Sequence, residues 1–225
     1  MPFFYGVFTP LINLFKKIFK NHNDEQNEQI SPEDIVIALV GVTGSGKSTF
    51  IKLATGQDTG AVNTDLKPRN ARVHAVKMPQ TSASRSIWLV DTPGIDTSND
   101  DVSERRVLHS VSKFLNIRCH GAEPRRLDGI LNIHNISAEM DGNTSSKAIE
   151  FKKLMGDSLK NVILVTTFWD VSHPEEDDEK KRAIEKYWEK IGKDLRQHHF
   201  HNTPDSAHDI VQMITPFDDL SNAAR

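Results

Sequence analysis

The chain has 225 residues, 28 of them Lys or Arg and 31 Asp or Glu, for a net charge of −3. That length suits one good-sized domain, and that charge argues against a broad electrostatic nucleic-acid surface, which needs a surplus of basic residues. A single cysteine, Cys119, excludes an intrachain disulfide and a cysteine-based zinc site and makes a reducing compartment the simplest expectation; no apolar run reaches 18 residues, so no bilayer-spanning helix is expected.

Residues 1–23 carry Lys16, Lys17 and Lys20 and no acid. Leu11, Leu14, Phe15, Ile18 and Phe19 recur at helical spacing after Pro10, with the lysines largely on the other face, which predicts a basic amphipathic helix. Residues 1–20 would then lie in the headgroup region of an anionic membrane, or equally against their own domain or a second copy. The lysines follow the apolar part, the wrong order for a signal peptide. The polar stretch 21–31 reads as a linker. Residues 1–30 are thus an appendage, 31–225 the folded domain, and the expected location is cytoplasmic, peripheral wherever the helix meets a membrane.

Residues 35–40 are apolar without alternation, as a strand buried on both faces should be. Residues 48–55 read as a helix, 71–78 alternate like an edge strand, 86–90 form a short buried strand, and 103–117 are helical in period. A strand is expected over 129–133, a short helix over 147–155 and a strand over 161–166. One long helix is expected over 175–197, with Ile184, Tyr187, Trp188, Ile191 and Leu195 on one side and the acid run 175–179 in its first turns. A helix over 206–214 follows. This alternation implies a three-layer α/β fold with a mostly parallel central sheet, whose ligands bind at the carboxyl ends of the strands.

Between the first strand and the first helix lie Gly41, Val42, Thr43, Gly44, Ser45, Gly46, Lys47 and Ser48, followed by Thr49. They fit G-x-x-x-x-G-K-[ST] in full, a match with a chance probability of roughly one or two per cent in such a chain. Glycines let successive N–H groups approach phosphate oxygens, and the following helix offers its positive end to the anion. Lys47 is placed for the β- and γ-phosphates and the Ser48 hydroxyl for Mg²⁺. The strand at 86–90 runs into Asp91, Thr92, Pro93 and Gly94. A carboxylate there can hold Mg²⁺, directly or through water, while Gly94 lets a backbone N–H approach the γ-phosphate. Lys47, Ser48, Asp91 and Gly94 are the candidate catalytic set, with Ser48 and Asp91 the metal pair. The strand at 161–166 leads into Thr167, Phe168, Trp169 and Asp170. A carboxylate at Asp170 can accept from N1–H and the exocyclic amine of guanine, a donor pair adenine lacks, and Phe168 or Trp169 could cover the base.

The segments GVTGSGKSTF, DTPGID, LDGILNIHNIS, NVILVTTFWD and the late DSAH, in this order, resemble the fungal G-domain proteins related to the immunity-associated (GIMAP-type) GTPases, which belong with the septins and chloroplast import GTPases. The resemblance covers residues 34–214. It implies a P-loop NTPase fold of the G-domain type that binds GTP and GDP with Mg²⁺. It also implies that Thr167 and Asp170 occupy the guanine-specifying positions, that Ser206 and Ala207 form the last G motif with backbone contacts to the guanine carbonyl oxygen, and that two G domains pair across the nucleotide. The chain departs from the pattern in switch I, where Asn70 stands in place of the expected threonine and Thr64 is off register, and after Ile136-Ser137, where Ala138, Glu139 and Met140 replace a segment carrying arginine. Ile95 holds the place of the water-orienting glutamine of Ras-type GTPases. Slow intrinsic GTP hydrolysis is expected, completed by a second copy or a partner. The rival readings are a nucleotide-dependent interaction module with little hydrolysis and a P-loop ATPase or kinase. His198, His199 and His201 read as an exposed strand end or loop, since the acidic partners and spacing of a metal site are missing.

Overall fold

The computed structural model describes residues 28–57, 73–79, 85–95, 100–119, 126–138, 161–169, 174–191 and 195–214. The amphipathic stretch 1–23, the expected helix 147–155, Thr64, Asn70, Glu139, Met140 and Asp170 lie outside these residues.

Six strands form one sheet in the order β2-β3-β1-β4-β5-β6. They are β1 (Ile35–Val40), β2 (His74–Lys77), β3 (Ile87–Asp91), β4 (Gly129–Asn135), β5 (Val162–Thr167) and β6 (Arg196–His199). All neighbours run parallel except β2, which lies antiparallel to β3 at one edge, where an edge strand was expected. Helices α1 (Lys47–Thr55), α2 (Asp100–Arg118), α3 (Pro174–Ile191) and α4 (Pro204–Gln212) complete the described elements. None of these helices is long and apolar enough to cross a membrane.

Strand β1 shows why the layers form. Ile37 and Leu39 point into one core with Phe50, Ile51 and Ala54 of α1 and Ala207, Ile210 and Val211 of α4. Val36, Ala38 and Val40 point the other way, into a core with Val107, Val111 and Leu115 of α2. Both faces must be apolar, so the strand has no polar alternation. Each of the Val, Leu, Ile and Phe side chains contributes about 1.5–3 kcal/mol on burial. β1 lies between β3 and β4, so successive connections leave it in opposite directions and open a crevice at its carboxyl end.

Two expectations need correction. The helix expected over 175–197 ends at Ile191, and Arg196–His199 forms β6, parallel to β5. Nothing in Arg-Gln-His-His favours a strand by residue type, since none is β-branched. The outer edge of β5 decides it. Pairing from Ile163 with Arg196 to Thr166 with His199 satisfies backbone groups of a strand whose six residues are all buried. Leu195, expected on the helix, packs partly buried against the core instead. The folded part also reaches further back than residue 31. Ile30 is 1% exposed and lies in the α2 core, its N–H donates to the Arg118 carbonyl at 3.0 Å, and Arg118 Nε donates to the Glu28 carbonyl at 3.1 Å.

Candidate functional site

The chain leaves β1 at Val40 and turns through residues 41–46 into α1. Gly46, the residue before the helix, has φ 100°, a backbone state open to glycine and costly for a residue with Cβ. No side chain caps α1, and its first turn holds no acid. The N–H groups of Lys47, Ser48 and Thr49 are therefore the orphan donors of a helix start, aligned with the positive end of the dipole. A negatively charged ligand would complete them.

Lys47 is the first helical residue and is buried. Its Nζ donates to the carbonyls of Gly41 at 3.0 Å and Val42 at 2.9 Å. Burial pushes the ammonium down to about 8, with the Asp91 charge opposing. A buried ammonium among neutral carbonyls has much to gain from a phosphate oxygen, which brings a full opposite charge.

Asp91 ends β3 in register with Leu39 of β1, next to the phosphate loop. Ser48 Oγ donates to Asp91 Oδ2 at 3.0 Å. Burial pushes the Asp91 carboxyl above its ordinary range, opposed by the Ser48 hydrogen bond and by the Lys47 and His74 charges. A hydroxyl and a carboxylate oxygen 3.0 Å apart match two adjacent corners of an octahedron with bonds of about 2.1 Å, the geometry and hard oxygen chemistry that Mg²⁺ requires. The donor set fits that ion.

The chain then passes Thr92, whose hydroxyl donates to the Leu39 carbonyl at 2.6 Å, and reaches Gly94. A Cβ on Gly94 would stand 2.2 Å from Thr43 Oγ1 and 2.7 Å from the Thr43 nitrogen and Cα. Without it, this loop lies directly on the phosphate loop. Ile95 secures the contact by bridging to Val42 and donating its N–H to the Gly41 carbonyl at 3.1 Å. Its side chain is buried with Trp88 and Val90, so this position places an aliphatic group in the core.

Strand β5 brings Thr167 to the same edge. Its hydroxyl lies 2.9 Å from the Ser45 carbonyl and 3.2 Å from the His134 carbonyl. Thr167 is buried and braces the phosphate loop against β4 and β5. His134, buried within β4, takes part through that carbonyl. Thr167→Val keeps the shape and removes the donor to the Ser45 carbonyl. The expected result is a protein about 1–3 kcal/mol less stable in urea unfolding, with several-fold weaker nucleotide binding. An unchanged midpoint would contradict the brace.

Phe168 follows at φ 64°, unusual for a bulky residue, and is 38% exposed. Its Cε2 lies 3.7 Å from the point where a Cβ on Gly46 would stand, so the ring sits beside the phosphate loop. Trp169 is packed elsewhere. Its Nε1 donates to Thr166 Oγ1 at 3.0 Å, and its ring meets His199 edge-on at 4.3 Å. Of the two aromatics, Phe168 is therefore the one placed to cover a nucleoside.

Ser206 and Ala207 are not brought into this loop cluster. They lie in the first turn of α4, and their N–H groups donate to the Thr203 hydroxyl at 3.2 Å and the Thr203 carbonyl at 3.1 Å. Those donors are used by the helix cap. The loop that leaves β6 at the site edge is residues 200–203, where Asn202 has φ 56°. Its residue types do not mark it as a ligand loop, and its place follows from β6. His198 and His199 stand in β6 with His201 just after it. Among the described residues no three His, Cys, Asp or Glu side chains gather as a metal site.

The 50S ribosome-binding GTPase family model matches residues 36–168. GTPase Era of Ehrlichia ruminantium (strain Gardel) is 32% identical over 73 residues, 32% of this chain and 24% of that protein. The chain thus matches about a quarter of the length of the curated relatives it resembles. Among solved structures, a dimerization-deficient mutant of Toc33 from Arabidopsis thaliana superposes with a TM-score of 0.61 at 16% identity, over 91% of this chain and 90% of that one. Toc33 with GDP and Mg²⁺ gives 0.58 at 16% identity over the same shares. Era in complex with MgGDPNP and nucleotides 1506–1542 of 16S ribosomal RNA gives 0.54 at 15% identity, over 84% of this chain and 57% of that one. At these identities the likeness is one of fold.

Proposed function

The chain belongs to the 50S ribosome-binding GTPase family, and on that premise we propose that it binds GTP and GDP with Mg²⁺ and hydrolyses GTP slowly as a nucleotide switch. The observation that carries the reading is the Ser48–Asp91 contact of 3.0 Å beside a buried Lys47 at an uncapped helix start. In this reading Gly41 through Thr49 cradle the phosphates with backbone N–H groups, and Lys47 reaches the β- and γ-phosphates. Ser48 and Asp91 hold the metal, which when bound neutralises charge on the β- and γ-oxygens. Gly94 turns its N–H toward the γ-phosphate. Thr167 keeps the phosphate loop in register with the base side, Phe168 covers the nucleoside and Asp170 reads guanine.

Hydrolysis needs a water held in line with the γ-phosphate. The buried aliphatic side chain of Ile95 gives that water no partner, which supports slow turnover completed by a second copy or a partner. Dimerization is important for the GTPase activity of the chloroplast translocon components Toc33 and Toc159, the first of which has the matched fold. The pairing proposed for this chain draws on that. Within the family we place it beside the GIMAP-type proteins, on the order and spacing of its motifs. We further read residues 1–20 as an appendage with an affinity for anionic membranes, ahead of a G domain whose packing already includes Ile30, at a cytoplasmic location. The net charge of −3 supports a reading without a nucleic-acid partner, although the matched Era structure is itself an RNA complex. The rival, an interaction module that binds without hydrolysing, is also favoured by Ile95. Single-turnover hydrolysis decides between them, since turnover at the level of Lys47→Ala would leave only the module.

The base reading is tested by Asp170→Asn. The amide can accept from N1–H but meets the guanine amine with a second donor. Xanthine, with an oxygen there, would fit instead. Guanine-nucleotide affinity is expected to fall about 100-fold or more while xanthosine-nucleotide affinity rises. Unchanged guanine preference would remove Asp170 from the site.

A further inference from the structure

Beside the candidate site, two side chains from adjacent strands and one from the loop after β5 form a hydrogen-bonded chain that phosphate binding and catalysis do not use. Thr166 and His199 are register partners on β5 and β6. Thr166 Oγ1 lies 2.9 Å from His199 Nδ1, 3.0 Å from Trp169 Nε1 and 3.3 Å from the His198 carbonyl. The indole N–H can only donate, and Thr166 accepts it at its hydroxyl at 3.0 Å and at its backbone carbonyl at 3.2 Å. With a neutral imidazole protonated at Nε2, the Thr166 hydroxyl donates onward to Nδ1, its shorter contact. The chain then runs from Trp169 through Thr166 to His199. Protonation at Nδ1 reverses the last link. The Thr166 hydroxyl then accepts from His199 and turns its own proton to the His198 carbonyl, and it either shares the indole N–H or yields it to the Thr166 carbonyl.

The same proton places a charge against the Trp169 ring, which already carries Lys181 Nζ at 5.0 Å from its centroid. The charged or titratable groups around the imidazole are Lys181 and Glu185 from α3, His198 on its own strand and His201 in the following loop. Burial first, then Lys181, His198 and His201, hold His199 below the usual imidazole range, with Glu185 opposing. Trp169 directly follows Phe168, whose left-handed backbone is a strained state that persists only where its surroundings hold it. The anchored indole is such a hold.

We infer that His199 is a positioning residue for the nucleoside-side loop: through Thr166 and Trp169 it fixes Phe168 beside the phosphate loop while neutral, and its protonation loosens that loop and weakens nucleotide binding. The inference rests on the proposed nucleotide site. Its sign follows from linkage. A histidine held below its unfolded value of about 6.5 contributes fully above that pH, and the contribution is lost as pH falls from there through the folded value.

The test measures affinity for fluorescent GDP from pH 8 to 5.5 in the full chain and in His199→Gln, whose side chain can hydrogen-bond but does not titrate. The diphosphate's own titration is common to both proteins and cancels in the comparison. The wild-type affinity should fall about threefold to tenfold more than that of the variant. In parallel, tryptophan emission of the nucleotide-free protein should show a step as the imidazolium forms beside Trp169, absent in His199→Gln and in Trp169→Phe. Matching pH profiles for wild type and His199→Gln in affinity would overturn the positioning role, whatever the emission does. A folded protein that binds no GDP at any pH would overturn the nucleotide reading itself and this inference with it. The emission step would then report separately whether the His199–Trp169 contact exists.

Discussion

Lys47→Ala is expected to weaken GTP and GDP binding by about 10²–10³-fold, while the nucleotide-free protein stays folded. The two effects separate because Lys47 is buried before any ligand arrives. Its ammonium is held by two neutral carbonyls, and burial lowers it to about 8. A lysine lowered on folding favours the neutral form. Its contribution is whole above the unfolded value of about 10.4 and is lost as pH falls through about 8. At pH 7 the charged group therefore costs stability, and removing it relieves that cost while leaving the Gly41 and Val42 carbonyls to find water. The melting temperature without nucleotide should change little or rise. With nucleotide the balance reverses, because truncating one partner of a desolvated charge pair typically costs 2–5 kcal/mol. Thermal melting of the free protein and nucleotide titration read the two halves. Affinity retained within about fivefold would mean that the phosphates do not lie on this loop.

Gly94→Ala is expected to cut single-turnover GTP hydrolysis by about 100-fold while leaving GDP affinity within a few-fold of wild type. The added Cβ would meet Thr43 Oγ1 at 2.2 Å, which a rotamer change could relieve, but also the Thr43 nitrogen and Cα at 2.7 Å, which it could not. The loop after β3 would have to back away by roughly an ångström, and displacement on that scale at a reacting group costs about two orders of magnitude in rate. The bridge from Ile95 to Val42 would be strained as well. The N–H groups and Lys47 that hold the inner phosphates are on the other loop and keep their places. Wild-type turnover in Gly94→Ala would show that this approach has no part in the chemistry. A parallel loss of GDP binding would show that it holds the phosphate loop itself together.

What was legible in the sequence was what backbone physics ties to residue type. The glycines and Lys47 of the phosphate loop, the aspartate that ends β3 and the glycine after it, and strands buried on both faces such as β1 and β5 could be read directly. The structure brings Ser48 and Asp91 together as their motifs imply. What depends on neighbours was not legible. β6 exists because β5 has an edge to complete, and Arg-Gln-His-His does not announce it. The expected run of the preceding helix to residue 197 hides the loop at 200–203, and the resemblance points instead to Ser206 and Ala207, whose N–H groups bond to Thr203 in the first turn of α4. Residue type places Thr167 in the base-side motif, and only the structure shows that its hydroxyl bonds to the Ser45 carbonyl of the phosphate loop. The different fates of Phe168 and Trp169 rest on the left-handed backbone of Phe168 and on the Thr166 and His199 contacts of Trp169, which no residue pattern encodes. Ile30, in a polar stretch, becomes core because the end of α2 is there to receive it.

The most direct test of guanine-nucleotide binding at this sheet edge is titration of the purified chain with fluorescent GTP, GDP and ATP, with and without Mg²⁺. The site predicts binding that prefers guanine over adenine by about 100-fold or more and that weakens when Mg²⁺ is removed. ATP binding equal to or tighter than GTP binding, or no nucleotide binding by the folded protein, would contradict it.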